Sequence, residues 1–188
     1  MYSSIIEAII FASTEPISED KIKSIIGNGL TKSDIGNIVE KLNEEYDRTN
    51  RAFRIEKVAG GYILATRQVY YKFLQKMNYN KIKKGVTHAA MECLAIIALK
   101  QPITRIEIDQ IRGVNSVGAI NSLLEKELIT IAGRKKVPGN PLMYKVTDKF
   151  LFLLGINSLE DLPDYNEYKS KFKELEENRE KENEIKVE

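Results

Sequence analysis

The sequence predicts a mostly helical α+β fold built from two similar halves in tandem. The first observation is a repeated phrase: EPISEDKIKSIIG at residues 15–27 returns as QPITRIEIDQIRG at residues 101–113, with a constant offset of 86. The second is that a helical pattern and then two short β runs follow each copy. This spacing exceeds the roughly 20–50 residues of solenoid repeats, so it indicates duplicated domains.

Each repeated phrase has the features of a helix start. A proline sets an extended or turn conformation, and the hydroxyl of Ser18 or Thr104 can accept a hydrogen bond from the first helical turn. Glu107 completes a capping-box pattern with Thr104. Gly27 and Gly113 are natural helix ends. The phrase therefore predicts a short second helix in each copy.

Apolar residues at helical spacing predict a helix before each phrase and another after it. The inward positions predicted in the first copy are Ile5, Ile6, Ile9, Ile10, Ile22, Ile25, Ile35, Ile38, Val39, Leu42 and Tyr46. Those predicted in the second copy are Ala90, Met91, Leu94, Ile97, Ala98, Ile108, Ile111, Val117, Ile120, Leu123 and Leu124. Thr31 with Asp34 predicts the cap of the first copy's third helix.

Two β runs close each copy. They are residues 53–58 and 62–66 in the first copy and residues 128–133 and 142–146 in the second. Gly60-Gly61 predicts a tight turn in the first hairpin, and residues 134–141 form a longer connection in the second. Three helices followed by a β-hairpin is the order of a winged helix. The sequence therefore predicts two winged-helix domains in tandem.

The predicted domains are a first winged helix at 1–67, a helix and linker at 68–86, a second winged helix at 87–163, and a charged tail, helical or disordered, at 164–188. Within the connection, VYYKFLQKM (69–77) has a helical pattern, and its aromatic residues Tyr70, Tyr71 and Phe73 belong either to an inter-domain core or to a partner site. NYNKIKKG (78–85) reads as an exposed linker. FLFLLGI (150–156) is expected to cap the second core.

Composition is that of a globular protein without a membrane span. Hydrophobic residues make up 43% and charged residues 30% of the chain, and there is one cysteine, Cys93, which fits a reducing cytoplasm. The net charge of +2 divides into +5 over residues 1–163 and −3 over the tail. The single histidine, His88, and the absence of a phosphate-binding glycine motif leave no pattern for catalysis, a metal or another cofactor. We therefore expect neither an enzyme nor a small-molecule substrate.

Sequence-specific DNA binding is the alternative function, because winged helices often insert their third helix into the major groove. Residues 34–50, the predicted third helix of the first copy, carry five acidic and two basic residues. That charge is unfavourable beside phosphates. Arg134, Lys135 and Lys136 in the second wing could support a weak contact with nucleic acid or with an acidic protein.

Two long stretches resemble the segregation and condensation protein B (ScpB) family. They are THAAMECLAIIALKQPITRIEIDQIRGVNS (87–116) and LLEKELITIAGRKKVPGNPLMYKVTDKFLFLLGINSLEDLP (123–163), which contain the family-like runs Q-P-I-T-R, I-R-G-V and S-L-E-D-L-P. EPIS and GGYILATR (60–67) in the first domain fit as well. Asn140 departs from the arginine that is usual in the family's wing. The resemblance covers residues 1–163.

The resemblance implies a non-enzymatic accessory subunit of the bacterial condensin-like SMC complex, associated with the nucleoid. It implies a homodimer formed chiefly through the first domain, direct binding to the kleisin ScpA, contact with the SMC ATPase through that kleisin, and at most weak or indirect contact with chromosomal DNA. The dimer-interface candidates are Ile5, Ile9, Tyr62, Tyr70, Tyr71 and Phe73. The kleisin-binding candidates are Arg105, Arg112 and Tyr144.

Overall fold

A computed structural model describes residues 2–27, 29–77 and 85–185, and the chain divides into two compact units, Met1–Lys84 and Gly85–Glu188. The first unit contains α1 (Tyr2–Ala12), β1 (Ile17–Ser18), α2 (Glu19–Ile26), α3 (Lys32–Arg48), β2 (Phe53–Val58), β3 (Gly61–Thr66) and α4 (Tyr71–Leu74), the last flanked by 3₁₀ turns at Gln68–Tyr70 and Gln75–Met77. The predicted linker lies outside the described residues, except for Gly85.

The second unit repeats this order. It contains α5 (His88–Lys100), β4 (Ile103–Thr104), α6 (Arg105–Arg112), α7 (Val117–Glu125), β5 (Ile129–Arg134), β6 (Leu142–Val146), α8 (Asp148–Leu154), a 3₁₀ turn at Leu159–Asp161, and α9 (Tyr165–Ile185). Each unit therefore holds three helices and a β-hairpin, and the predicted mostly helical fold with two winged helices is confirmed.

Each sheet has a third strand that the sequence analysis missed. The Pro-Ile-Ser and Pro-Ile-Thr steps form two-residue strands before the second helix, which gives the strand orders β1-β3-β2 and β4-β6-β5. Ile17 pairs with Tyr62, and Ile103 pairs with Tyr144. The repeated phrase therefore supplies a strand as well as a helix cap.

The predicted caps of the second and third helices form as expected. Thr104 and Glu107 make a complete capping box, and so do Thr31 and Asp34. The Ser18 hydroxyl accepts a hydrogen bond from the Lys21 amide at 3.3 Å. These contacts satisfy amides that an α-helix leaves without partners at its first turn.

The first hairpin turns one residue earlier than predicted. Ala59 and Gly60 form its two-residue loop, and both have positive φ, as two-residue hairpin turns require. Gly61 already lies in β3, where an added Cβ would come within 2.9 Å of the carbonyl carbons of Pro16 and Ile17. The glycine is therefore needed for the close pairing with β1 and not for the turn.

The two cores contain most of the predicted inward residues, with differences at the second helix. Ile22 and Ile108 are fully buried at equivalent positions. Ile25, predicted to point inward, is 53% exposed, because Ile26, one full turn after Ile22, packs on the core instead. Ile5, Met91 and Val117 are also exposed, contrary to prediction.

The tail forms the long helix α9, which packs against the second unit at its start. Tyr165 is buried and donates a hydrogen bond from its hydroxyl to the Ala98 carbonyl at 3.0 Å. Phe172, two turns later, also packs on this core, with the Lys100 ammonium 5.6 Å from its ring centre. Of the two predicted states of the tail, the structure has the helix.

Candidate protein-interaction surfaces

The outer face of α1 is an uncharged surface of the first unit. Ile6 and Ile10 point into the core, while Ile5, Ala8, Phe11 and Ala12 are exposed and lie together on the opposite side of the helix; we call these four residues the α1 outer face. Phe11 is 74% exposed. An exposed, uncharged helix face of this kind is typical of a protein interface.

The one charged residue of α1 does not interrupt this face. Glu7 accepts a hydrogen bond from the Tyr46 hydroxyl at 2.6 Å, which joins α1 to α3. Burial of the tyrosine and its bond to the carboxylate raise the pKa of Tyr46. The Glu7 carboxylate therefore makes this contact within the first unit and does not belong to the α1 outer face.

The corresponding position in the second unit is covered. The segment AIIFA in α1 aligns with AIIAL in α5, so Phe11 corresponds to Ala98. Ala98 is only 5% exposed, and α9 lies over it through Tyr165. The first unit thus leaves bare a place that the second unit fills with its own terminal helix.

Tyr62, a predicted dimer contact, lies in the core of the first unit. Its hydroxyl donates to the Glu19 carboxylate at 2.9 Å, and Lys57 reaches the same oxygen at 3.1 Å. Burial and the bond to Glu19 raise the pKa of Tyr62 to about 12. Because its ring is buried, Tyr62 fastens the hairpin to α2 and offers a partner no surface.

The other dimer candidates divide by burial. Ile9 is half-buried against the core, whereas Ile5 lies on the α1 outer face. Tyr70 is exposed, and Tyr71 and Phe73 are 61% and 58% exposed. None of these three aromatic residues is therefore buried in the core of the first unit, and their assignment as dimer contacts stays a prediction.

Arg112, a predicted kleisin contact, belongs to a structural network. Its side chain is only 8% exposed and donates to the Glu92 carboxylate at 2.9 and 3.1 Å and to the Ser116 hydroxyl at 2.9 Å. The buried Ser116 also donates its amide to Asp109 at 2.7 Å. The hydrogen bond from Arg112 lowers the pKa of Glu92. Arg112 therefore ties α6 to α5 and to the start of α7.

The remaining kleisin candidates, Tyr144 and Arg105, differ in their exposure. Tyr144 lies in β6, where it pairs with Ile103, and its side chain is buried in the core of the second unit. Arg105 is partly exposed and pairs with Asp109 one turn later at 2.7 Å. Ile106, which the sequence analysis did not select, is 51% exposed beside it on α6. Of the three candidates, Arg105 alone presents charge at the surface.

The wing cations are largely engaged with the protein itself. Lys135 binds the Glu107 carboxylate at 2.6 Å, and Arg134 donates to the Asn140 carbonyl at 3.0 Å across the wing loop. Burial opposes ionisation of Glu107, but hydrogen bonds from Lys135 and Thr104 prevail and lower its pKa to about 2. Lys136 is exposed.

The described residues contain no group of three or more side chains that could hold a metal ion. Cys93 is fully buried in α5, and His88 pairs with Glu92 at 3.0 Å on the surface. None of the helices in the described part of the chain combines the length and apolar character required to cross a membrane.

These features define a tandem winged-helix protein whose prominent surfaces suit contacts with other macromolecules. A sequence model of the family described as segregation and condensation complex subunit ScpB matches residues 4–165. The chain is 43% identical to segregation and condensation protein B of Clostridioides difficile over 87% of this chain and 92% of that protein. It is also 43% identical to the Alkaliphilus oremlandii protein of that name, over 88% of each chain. The chain therefore belongs to the ScpB family.

Among solved structures, a dimer of an ScpB N-terminal domain complexed with an ScpA peptide matches 41% of this chain and 87% of its own. The sequence identity is 23% and the TM-score is 0.37.

Proposed function

We propose that this chain is a non-enzymatic subunit of a condensin-like SMC complex in the cytoplasm, where it acts on the nucleoid in chromosome segregation. It forms a homodimer, binds the kleisin ScpA directly, and reaches the SMC ATPase through that kleisin. Membership of the ScpB family over residues 4–165 carries this proposal. The matched family is that of a complex subunit, which agrees with surfaces suited to protein contacts.

Self-association is assigned to the α1 outer face. Burying exposed apolar surface contributes roughly 25 cal/mol per Å², and Phe11 is the largest side chain available there. The face has no charge to desolvate, which removes the main cost of association. A second copy would cover Phe11 as α9 covers Ala98 in the second unit.

Kleisin binding is assigned to the surface of α6 around Arg105 and Ile106. An exposed apolar side chain beside a cation suits an amphipathic segment that carries a carboxylate. Arg112 and Tyr144 contribute indirectly, because they hold α6 and β6 in place.

A DNA-binding regulator has less support. α3 begins at Lys32, earlier than predicted, and carries three basic and five acidic residues, so its charge of −2 still opposes a phosphate backbone. α7 carries a single charged residue, Glu125. The carboxylate of Glu107 holds Lys135 in the second wing.

Titration calorimetry of the full chain with the central segment of the kleisin tests the proposal. We expect a Kd of about 1 μM or tighter, and at least a tenfold loss for Ile106→Asp. Ile25→Asp is the matched control, since Ile25 is equally exposed but lies on α2 of the first unit. No binding by the unaltered chain contradicts the proposed function, whereas equal binding by Ile106→Asp contradicts only the α6 surface.

A further inference from the structure

Positive charge is concentrated in one part of the chain. Between Glu56 and Glu92 the sequence has seven Lys and Arg residues and no Asp or Glu. The rest of the chain holds the other 22 of its 29 cations against all 27 of its acidic residues. The net charge of +2 therefore comes entirely from this stretch, and its ligand is expected to be anionic.

Within this stretch, the described segment Arg67–Lys76 combines aromatic and basic residues, and we call it the aromatic-basic segment. Its start is fixed: the Arg67 amide donates to the Ala52 carbonyl at 2.9 Å, and its Nε donates to the Arg51 carbonyl at 2.8 Å. The Arg67 guanidinium also pairs with Asp47. These contacts of Arg67 therefore attach the start of the segment to the first unit.

Beyond this anchor, the segment carries exposed apolar and cationic side chains close to one another. Val69, Tyr70, Tyr71 and Phe73 are all exposed, and the Lys72 ammonium lies 5.2 Å from the centre of the Phe73 ring. Lys76 is exposed as well. Interleaved aromatic rings and cations match a ligand that has both flat apolar faces and negative charge.

The geometry of the segment distinguishes between two anionic ligands, a partner that binds one helix face and a single-stranded nucleic acid. Tyr71 and Phe73 lie two residues apart in α4, so their side chains point to nearly opposite sides of the helical turn. A groove that binds one face of a helix contacts residues three or four apart, such as Tyr70 and Phe73, and would leave Tyr71 uncovered. Rings displayed in separate directions can instead take up bases one at a time. A duplex hides its base faces and would use only the lysines.

We propose that the aromatic-basic segment binds single-stranded nucleic acid, with Tyr71 and Phe73 stacking on bases and Lys72 and Lys76 contacting phosphates. The interaction is independent of base sequence, because every base has a face on which a ring can stack. This inference is separate from the proposed self-association and kleisin binding, which use α1 and α6.

Fluorescence anisotropy of the full chain with a labelled oligothymidylate of about 20 nucleotides tests the proposal; common single-strand-binding modules cover about 4–16. Tyr71→Ala/Phe73→Ala is expected to weaken binding about tenfold or more, as loss of base stacking does. Lys72→Gln/Lys76→Gln is expected to reduce the slope of log K against log salt by about 1.4, from two contacts of about 0.7 each. A duplex of the same length should bind several-fold more weakly.

Tyr168→Ala and Lys23→Gln are the matched controls, since both residues are exposed elsewhere on the protein. Unchanged affinity of the aromatic double variant overturns the proposal. Binding of a glutamate-rich peptide in place of the oligonucleotide also overturns it and assigns the segment to an acidic protein. Loss of dimer mass in the aromatic double variant overturns it too, because these rings would then belong to self-association.

Discussion

The two winged-helix units share one frame and differ in what surrounds it. In both, an isoleucine of the short first strand pairs with a tyrosine of the last strand: Ile17 with Tyr62, and Ile103 with Tyr144. The third helix has 17 residues in the first unit and 9 in the second, whereas the hairpin loop grows from two residues to residues 135–141. The strand pairing is therefore shared by the two units, whereas the length of the third helix and the length of the hairpin loop differ and change the surface.

Two pairs of equivalent positions show how the surfaces diverge. Ile26 corresponds to Arg112, and Ile5 corresponds to Glu92. In the second unit the arginine and the glutamate form an ion pair that joins α6 to α5. In the first unit Ile26 packs inward and Ile5 stays exposed. At these two positions the second unit forms an internal ion pair, whereas the first unit leaves an apolar side chain exposed.

The largest predicted effects test whether the shared frame is equally important in both units. Ile22→Ala and Ile108→Ala each remove a fully buried side chain at the same position of the repeat. Each should lower the free energy of unfolding of its own unit by about 2–5 kcal/mol. Hydrogen-exchange mass spectrometry on the full chain locates the loss. Equal acceleration of exchange in both units by either variant contradicts the two-unit description.

Arg112→Met tests the polar network of the second unit. It removes the hydrogen bonds of the buried Arg112 side chain to Ser116 and Glu92, and we expect a loss of about 2 kcal/mol in unfolding free energy. Arg105→Met is the control, because it breaks only a partly exposed pair on one helix and should cost less than about 1 kcal/mol. Urea unfolding followed by circular dichroism compares the two. If the Arg112→Met protein is as stable as the unaltered chain but loses kleisin binding, Arg112 contacts the kleisin and the structural role is contradicted.

The two helix caps should differ in strength. Thr104→Ala removes a buried cap with a reciprocal carboxylate and should cost about 2 kcal/mol, whereas Ser18→Ala removes an exposed, longer hydrogen bond and should cost about 0.5 kcal/mol. The same urea experiment measures both losses. Equal losses would mean that the capping box adds nothing to the second unit.

The last comparison concerns pH. The pKa of Glu107 is about 2 in the folded protein against a usual 4.5, so its stabilising contribution is complete above about pH 4.5 and is lost as pH falls towards 2. Glu107→Gln should therefore lower the urea midpoint at pH 7 and should converge with the unaltered chain near pH 2. A difference that persists unchanged at pH 2 would show that ionisation of Glu107 is not the cause.

The sequence predicted the repeated frame because its signals are local. The hydroxyl caps and the glycine helix ends lie within one or two turns of the residues they serve. The burial of Arg112 and Tyr144 was not predicted, because exposed and buried arginines or tyrosines look alike in a sequence. The network of Arg112 joins residues that are 20 positions apart along the chain, which no local pattern reveals.

Phe11 was missed although a signal for it was present. α1 is apolar on more than one face: all four of its isoleucines were predicted to point inward, but Ile5 lies with Phe11 on the α1 outer face. Its importance becomes clear only when the structure shows Ala98 covered by α9 at the equivalent position. The charged composition of the tail concealed that contact, because Tyr165 and Phe172 are few among many charges.

Multi-angle light scattering of the purified chain tests most directly whether the α1 outer face is completed by a second copy. The account predicts twice the chain mass of 21.5 kDa for the unaltered protein and for the control Ile25→Asp. Phe11→Asp should have the mass of one chain, because a buried, unpaired carboxylate would oppose association. A monomeric unaltered protein, or a dimer that Phe11→Asp leaves intact, would contradict it.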